Sequence, residues 1–137
     1  MKYFTITELC ASQKAKAYGI NNHTISATVA DNLIRLVDNV LDPLRKAYGK
    51  PITVSSGDRC EKLNRLVGGV ELSQHTLGEA ADITVGSNRE NKKLFELIQK
   101  LNLPFDQLIW EKGDATGPDW VHISFSSTRR RKQVIKL

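Results

Sequence analysis

At 137 residues, with 40% hydrophobic and 26% charged side chains, the chain is long enough to bury a core of its own without staples. No window approaches the roughly 18 apolar residues of a membrane span, and two cysteines cannot supply a disulfide framework. The net charge of +5 is crowded into Arg129, Arg130, Arg131, Lys132 and Lys136, a cluster that attracts polyanions or blunts a sheet edge and identifies no partner by itself.

The N-terminal "MKYFTITELC" lacks the apolar stretch of a secretory signal peptide. Synthesis in a reducing cytosol is the expectation, with Cys10 and Cys60 as free thiols. Thr7 is a candidate cap for a short helix in "TITELCAS". From Ser26 to Tyr48, the residues Val29, Leu33, Leu36, Val37, Val40, Leu41 and Leu44 recur at helical spacing. Pro43 either kinks this helix or starts a second one after Asp42, and Gly49 ends it. "PITVSS" reads as a strand, and "RCEKLNRLVGG" as a short helix closed by Gly68 and Gly69. "AADITV" is a second strand. Ser87 then caps a helix from Asn88 to about Leu101, and Pro104 stops it. "DQLIWE", "DWVHISF" and "KQVIKL" supply three further strands. Helices first and strands later predict an α+β fold, a small, mostly antiparallel sheet packed with helices in one domain spanning 1–137.

Strand alternation sorts the side chains that carry chemistry. In "DWVHISF", Val121, Ile123 and Phe125 share the apolar face, leaving Trp120, His122 and Ser124 on the other. In "AADITV", Ala81, Ile83 and Val85 are the apolar set, with Asp82 and Thr84 opposite. If these strands are neighbours, His122 and Asp82 converge, and the turn at Gly78 brings His75 to them. Two imidazoles and one carboxylate without a thiolate suit a catalytic zinc site with an open fourth position better than a closed structural one. The plainer alternative makes all three surface or capping residues. Asp119 precedes His122 by three residues and is placed to act as a general base, or else to cap the Gly117–Pro118 turn. Arg59, in "SSGDR", can bind a substrate carboxylate or an oxyanion, or serve a surface ion pair. Trp110 and Trp120 can wall a cleft or belong to the core.

Together these segments resemble the zinc D-alanyl-D-alanine carboxypeptidases and their relatives among bacteriophage endolysins and vancomycin-resistance dipeptidases. "SQHTLGEAAD" is similar to the Ser-x-His-x-x-Gly-x-Ala-x-Asp segment of that group, "DWVHIS" to its second segment, and "SSGDR" to its Ser-Gly-Tyr-Arg segment. The likeness runs from about Phe4 to Val134. It implies a Hedgehog/DD-peptidase-like fold and zinc-dependent hydrolysis of peptidoglycan stem peptides, of the D-Ala-D-Ala carboxypeptidase or L-Ala-D-Glu endopeptidase type. On this resemblance His75, Asp82 and His122 hold Zn2+, and Asp119 takes the proton of the attacking water. Arg59 shares the charge of the tetrahedral intermediate, and Ser73 and Trp120 contact substrate. One departure stands out: Asp58 replaces the usual aromatic, and an acid there can tie Arg59 down.

The expected partner is a stem peptide, with no nucleic acid and no membrane insertion, and the expected state is a monomer. A wall substrate without a signal peptide fits a phage lysin that waits in the cytoplasm until another protein opens the membrane. Two alternatives come from other classes. A non-catalytic zinc-containing module of a phage particle or wall complex is disfavoured by Asp119, for which a structural site has no use. A nucleic-acid binder built on "RRRK" is disfavoured because no helix-turn-helix spacing, aromatic RNA-binding motif or paired cysteine-histidine finger accompanies it.

Overall fold

The computed structural model describes residues 1–137, and its helices begin where short polar side chains accept otherwise free N–H groups. Helix α1 (Ile6–Cys10) is capped by Thr5, two residues ahead of the expected Thr7, with the Thr5 hydroxyl accepting from the Glu8 N–H at 3.1 Å. Helix α2 (Gln13–Ala17), capped by Ser12, has no counterpart in the sequence reading, because five residues are too few for a helical period to show. Helix α3 (Ala27–Leu36) runs on through one π-helical turn (Val37–Leu41) into α4 (Asp42–Tyr48). The wide turn comes immediately before Pro43, whose missing N–H would leave a carbonyl of a regular helix without its donor. Of the two readings of Pro43, the structure bears out a new α-helical stretch, which begins at Asp42 and continues the same rod. Gly49, at φ +79°, closes it in the left-handed conformation.

The strands are β1 (Thr53–Ser56), β2 (Ala80–Thr84), β3 (Gln107–Glu111), β4 (Trp120–Ser124) and β5 (Gln133–Lys136). Helix α5 (Glu61–Leu66) and a 3-10 turn (Gln74–Leu77) lie between β1 and β2, and α6 (Asn88–Lys100) lies between β2 and β3. The sheet order is β1-β2-β4-β3-β5, so the fold is α+β as expected. Three of its pairings are antiparallel, in keeping with the expected mostly antiparallel sheet, and the one parallel pairing joins β5 to β3. The reason is topological. The chain reverses after β4 and skips over its neighbour β3, so a strand opposed to β4 must run with β3.

One face of the sheet is the core. Ala81, Ile83, Leu108, Val121 and Ile123 are buried there with Leu33, Leu36, Val40, Leu41, Leu44, Leu94 and Ile98 from the helices. Each large apolar side chain so buried contributes about 1.5–3 kcal/mol. Trp110 belongs to this core. Its ring meets Phe95 edge-on at 5.5 Å, and its indole N–H donates to the Lys112 carbonyl at 3.0 Å. Cys10 and Cys60 are free thiols, and burial, with the charge of Asp58 adding to it, pushes the Cys10 thiol up to about 11. No helix is long and apolar enough to cross a membrane.

Candidate metal centre and its cleft

The opposite face of the sheet carries the polar residues that alternation assigned to it. The β2–β4 register sets Asp82 directly across from His122, and β3 places Ile109 on the far side of His122. His75 comes from the 3-10 turn, where the Ser73 hydroxyl accepts its N–H at 3.1 Å and Gly78, at φ +71°, closes the turn. A Cβ at Gly78 would lie 2.6 Å from the Val29 carbonyl oxygen, so the turn packs on α3 only without a side chain. The three side chains meet as expected: their candidate ligand atoms all lie within 4.8 Å of one another.

The protons decide what this cluster is for. His75 Nδ1 lies 2.7 Å from the Gly57 carbonyl oxygen, which can only accept, so the imidazole proton resides on Nδ1. In the neutral ring Nε2 then presents a lone pair to Asp82 Oδ1 at 3.3 Å, another acceptor. His122 Nδ1 approaches the same oxygen at 3.1 Å. His75 and Asp82 are 3% and 8% exposed, so water reaches the mismatch only from the cleft side. A cation placed among these electron pairs relieves it, and an Nδ1–H fixed by a backbone carbonyl is the usual way an imidazole is oriented toward a metal. The donor set fits Zn2+ and contains no fourth protein ligand, the pattern of a site with a position left for water. Burial raises the proton affinity of Asp82, but the hydrogen bond with His122 works against it and the carboxyl is held below its ordinary range.

Arg59 backs this cluster. Its guanidinium donates to Ser56 Oγ at 3.0 Å, Asn64 Oδ1 at 3.1 Å and Asp82 Oδ2 at 3.4 Å, so it orients the carboxylate from behind while also lining the cleft. Asp58 does not tie it down. The Asp58 side chain turns into the protein, its Oδ1 has no partner, and burial pushes its carboxyl up to about 6. Between the ordinary value of 3.8 and that value the folded state holds a proton the unfolded chain has lost, so stability falls as pH rises through this window. Asp58→Asn, which removes the charge at constant size, is expected to stabilise the protein by about 2 kcal/mol at pH 7. Urea unfolding should show that gain fading toward pH 4; a gain independent of pH would mean that the charge is not its source.

The cleft above the cluster has a volume of about 450 Å³ and is lined by Ser73, Trp120, Glu111, Arg129 and Arg131 among others. Of the anticipated substrate contacts, Trp120 is half-buried in the cleft wall, and Ser73 both lines the cleft and caps the turn that carries His75. Asp119 is elsewhere. It is exposed, outside the cleft lining, and its Oδ1 accepts from Asn88 Nδ2 at 2.8 Å. Glu111 was not singled out from sequence, and Arg129 and Arg131 were read there only as members of the basic C-terminal cluster. Alternation within "DQLIWE" carries the signal for Glu111, since Gln107, Ile109 and Glu111 share a face opposite buried Leu108 and Trp110. Burial, then the charge of Asp82, raises the Glu111 carboxyl above its ordinary value. Nothing local placed the two arginines at the cleft, because the buried Asp106 carboxylate sets their position: Arg131 Nε and Nη2 bind it at 2.9 and 3.0 Å, and Arg129 Nε at 3.3 Å.

No curated protein matches the chain. A family model described as Peptidase M15 matches residues 2–124, a stretch that contains all three donor residues and stops before β5 and the basic segment. The match covers most of the sequence, and on that ground the chain belongs to the peptidase M15 family, a family of metallopeptidases.

Proposed function

We propose that the protein is a zinc peptidase that hydrolyses peptide bonds in peptidoglycan stem peptides, of the D-Ala-D-Ala carboxypeptidase or L-Ala-D-Glu endopeptidase type, and so acts on the cell wall. The observation that carries the reading is the convergence of His75, Asp82 and His122, whose candidate ligand atoms lie within 4.8 Å of one another at the floor of an open cleft. His75, Asp82 and His122 would hold the ion, which when bound supplies Lewis acidity toward water and the scissile carbonyl. Arg59 has a part in keeping Asp82 in position and, on the cleft wall, in stabilising charge that develops on the carbonyl oxygen.

The rim supports an acidic peptide as substrate. Arg59, Arg129 and Arg131 face the cleft against the two carboxylates Asp82 and Glu111, and stem peptides carry free carboxylates that guanidinium groups bind well. Two carboxylates outside the ligand set are candidates for the proton of the attacking water: Asp119, three residues before His122, and Glu111, across the β3–β4 ladder.

The test is to strip the protein with a chelator, restore zinc, and incubate each form with defined peptidoglycan. Mass spectrometry should find released stem-peptide fragments with the metal and none without it. One zinc bound per chain with no fragments in either state would overturn the hydrolase reading in favour of a non-catalytic zinc module.

A further inference from the structure

The sheet register separates the two candidate carboxylates. His122 and Trp120 point to the cleft face of β4, and Val121 and Ile123 to the core face. Asp119 continues that alternation, since its backbone N–H still donates across the ladder to the Glu111 carbonyl at 2.9 Å. Its side chain therefore leaves on the side of α6, where Asn88 holds it, while Asn91 Nδ2 donates to the Pro118 and Asp119 carbonyls at 3.1 and 3.0 Å. These anchors keep the Asp119 carboxylate away from the metal donors.

Glu111 occupies the opposite situation. It pairs with Trp120, which makes it the diagonal neighbour of His122 on the same face, a separation of roughly 7–8 Å that a glutamate can span. It lines the cleft beside His75, Asp82 and His122, and it is half-buried. Its carboxylate makes no hydrogen bond or ion pair with any protein group, whereas Asp82, the other carboxylate of the cleft, is engaged by both imidazoles and Arg59. An uncommitted carboxylate facing a set of metal donors has the geometry of a proton acceptor.

We propose that Glu111, and not Asp119, is the general base of this site. The inference rests on the zinc peptidase reading above. One O–H bond of the attacking water breaks as its proton passes to the Glu111 carboxylate. The water oxygen bonds to the scissile carbonyl carbon, the C–N bond then breaks, and Glu111 returns the proton to the departing amine nitrogen.

Glu111→Gln should bind one zinc per chain in calorimetric titration, with an affinity within a few-fold of the unaltered protein, and should lose roughly 10²–10⁴-fold in turnover on peptidoglycan. Glu111→Asp, which keeps a shorter carboxylate, should recover part of that loss, and Asp119→Asn should lose far less than either. An independent readout comes from the protein loaded with Co2+, whose visible spectrum follows protonation around the metal. Its titration midpoint should move by about one pH unit or more in Glu111→Gln and stay within a few tenths in Asp119→Asn. Turnover above half of normal in Glu111→Gln, a larger loss in Asp119→Asn, or failure of Glu111→Gln to bind zinc would each overturn the proposal. If the unaltered protein released no fragments, the peptidase reading would fail instead, and the cobalt titration would still decide whether Glu111 exchanges a proton beside the metal.

Discussion

Asp82→Asn is expected to leave the protein folded while abolishing its metal binding. The carboxylate sits between two imidazole nitrogens, at 3.3 Å from His75 Nε2 and 3.1 Å from His122 Nδ1. An asparagine there can donate an amide N–H to the His75 lone pair, so removing the charge does not orphan a buried group. Zinc binding is another matter, because a neutral amide oxygen replaces the one anionic ligand. Removing even an indirect support of a ligand typically costs 10–100-fold in metal affinity or activity, so losing the ligand itself should cost at least about 100-fold in both. Metal content should fall from one ion per chain toward zero. The unaltered protein should melt higher when zinc is added, by an amount corresponding to about 4 kcal/mol at a free concentration 1,000 times the dissociation constant, and the variant should show no such rise. An equal rise in both proteins would remove Asp82 from the ligand set.

Asp106→Ala should produce the largest loss of stability. This carboxylate is fully buried and accepts from the Arg131 N–H at 3.1 Å, from Arg131 Nε and Nη2, from Arg129 Nε and from Gln74 Nε2 at 3.1 Å. Cutting one partner out of a buried charge pair costs about 3–5 kcal/mol when the other charge stays buried. Here Arg129 and Arg131 are partly exposed and can turn to water, which brings the expected cost to about 2–3 kcal/mol and the drop in melting temperature to roughly 10 °C. Release of the Arg129–Arg131 segment should also free β5 from β3, visible as faster amide exchange over residues 133–136. Burial alone would raise the Asp106 carboxyl, but the hydrogen bonds from Arg131 and the two positive charges lower it below its ordinary value. Its contribution is therefore complete above the ordinary carboxylate range and is lost as pH falls through the lowered folded value, the reverse of Asp58. A variant that keeps its stability and shows β5 exchange unchanged would mean that the strand is held by its ladder alone.

Local chemistry carried much of the fold. Ser87 capped α6 where the sequence placed the cap, and the apolar spacing from Val29 to Leu44 marked a rod whose buried stripe is Leu33, Leu36, Val37, Val40, Leu41 and Leu44. What local chemistry left open has physical causes. Helix α2 is shorter than two turns, so its single cap had no periodic support. The direction of β5 depends on which strand it passes over, and alternation is the same for parallel and antiparallel neighbours.

The sequence by itself determined which residue types were available for metal chemistry and, through strand parity, that Asp82 and His122 leave the apolar face of their strands. It also determined that Glu111 shares a face with Gln107 and Ile109. Only the tertiary structure decided that β2 lies beside β4, that the Gly57 carbonyl holds the His75 proton away from Asp82, and that Asn88 draws Asp119 aside while Glu111 stays in the cleft. The reason is that parity is a property of one strand, whereas register, neighbour order and the choice of hydrogen-bond partner belong to pairs of segments that meet only when the whole core closes.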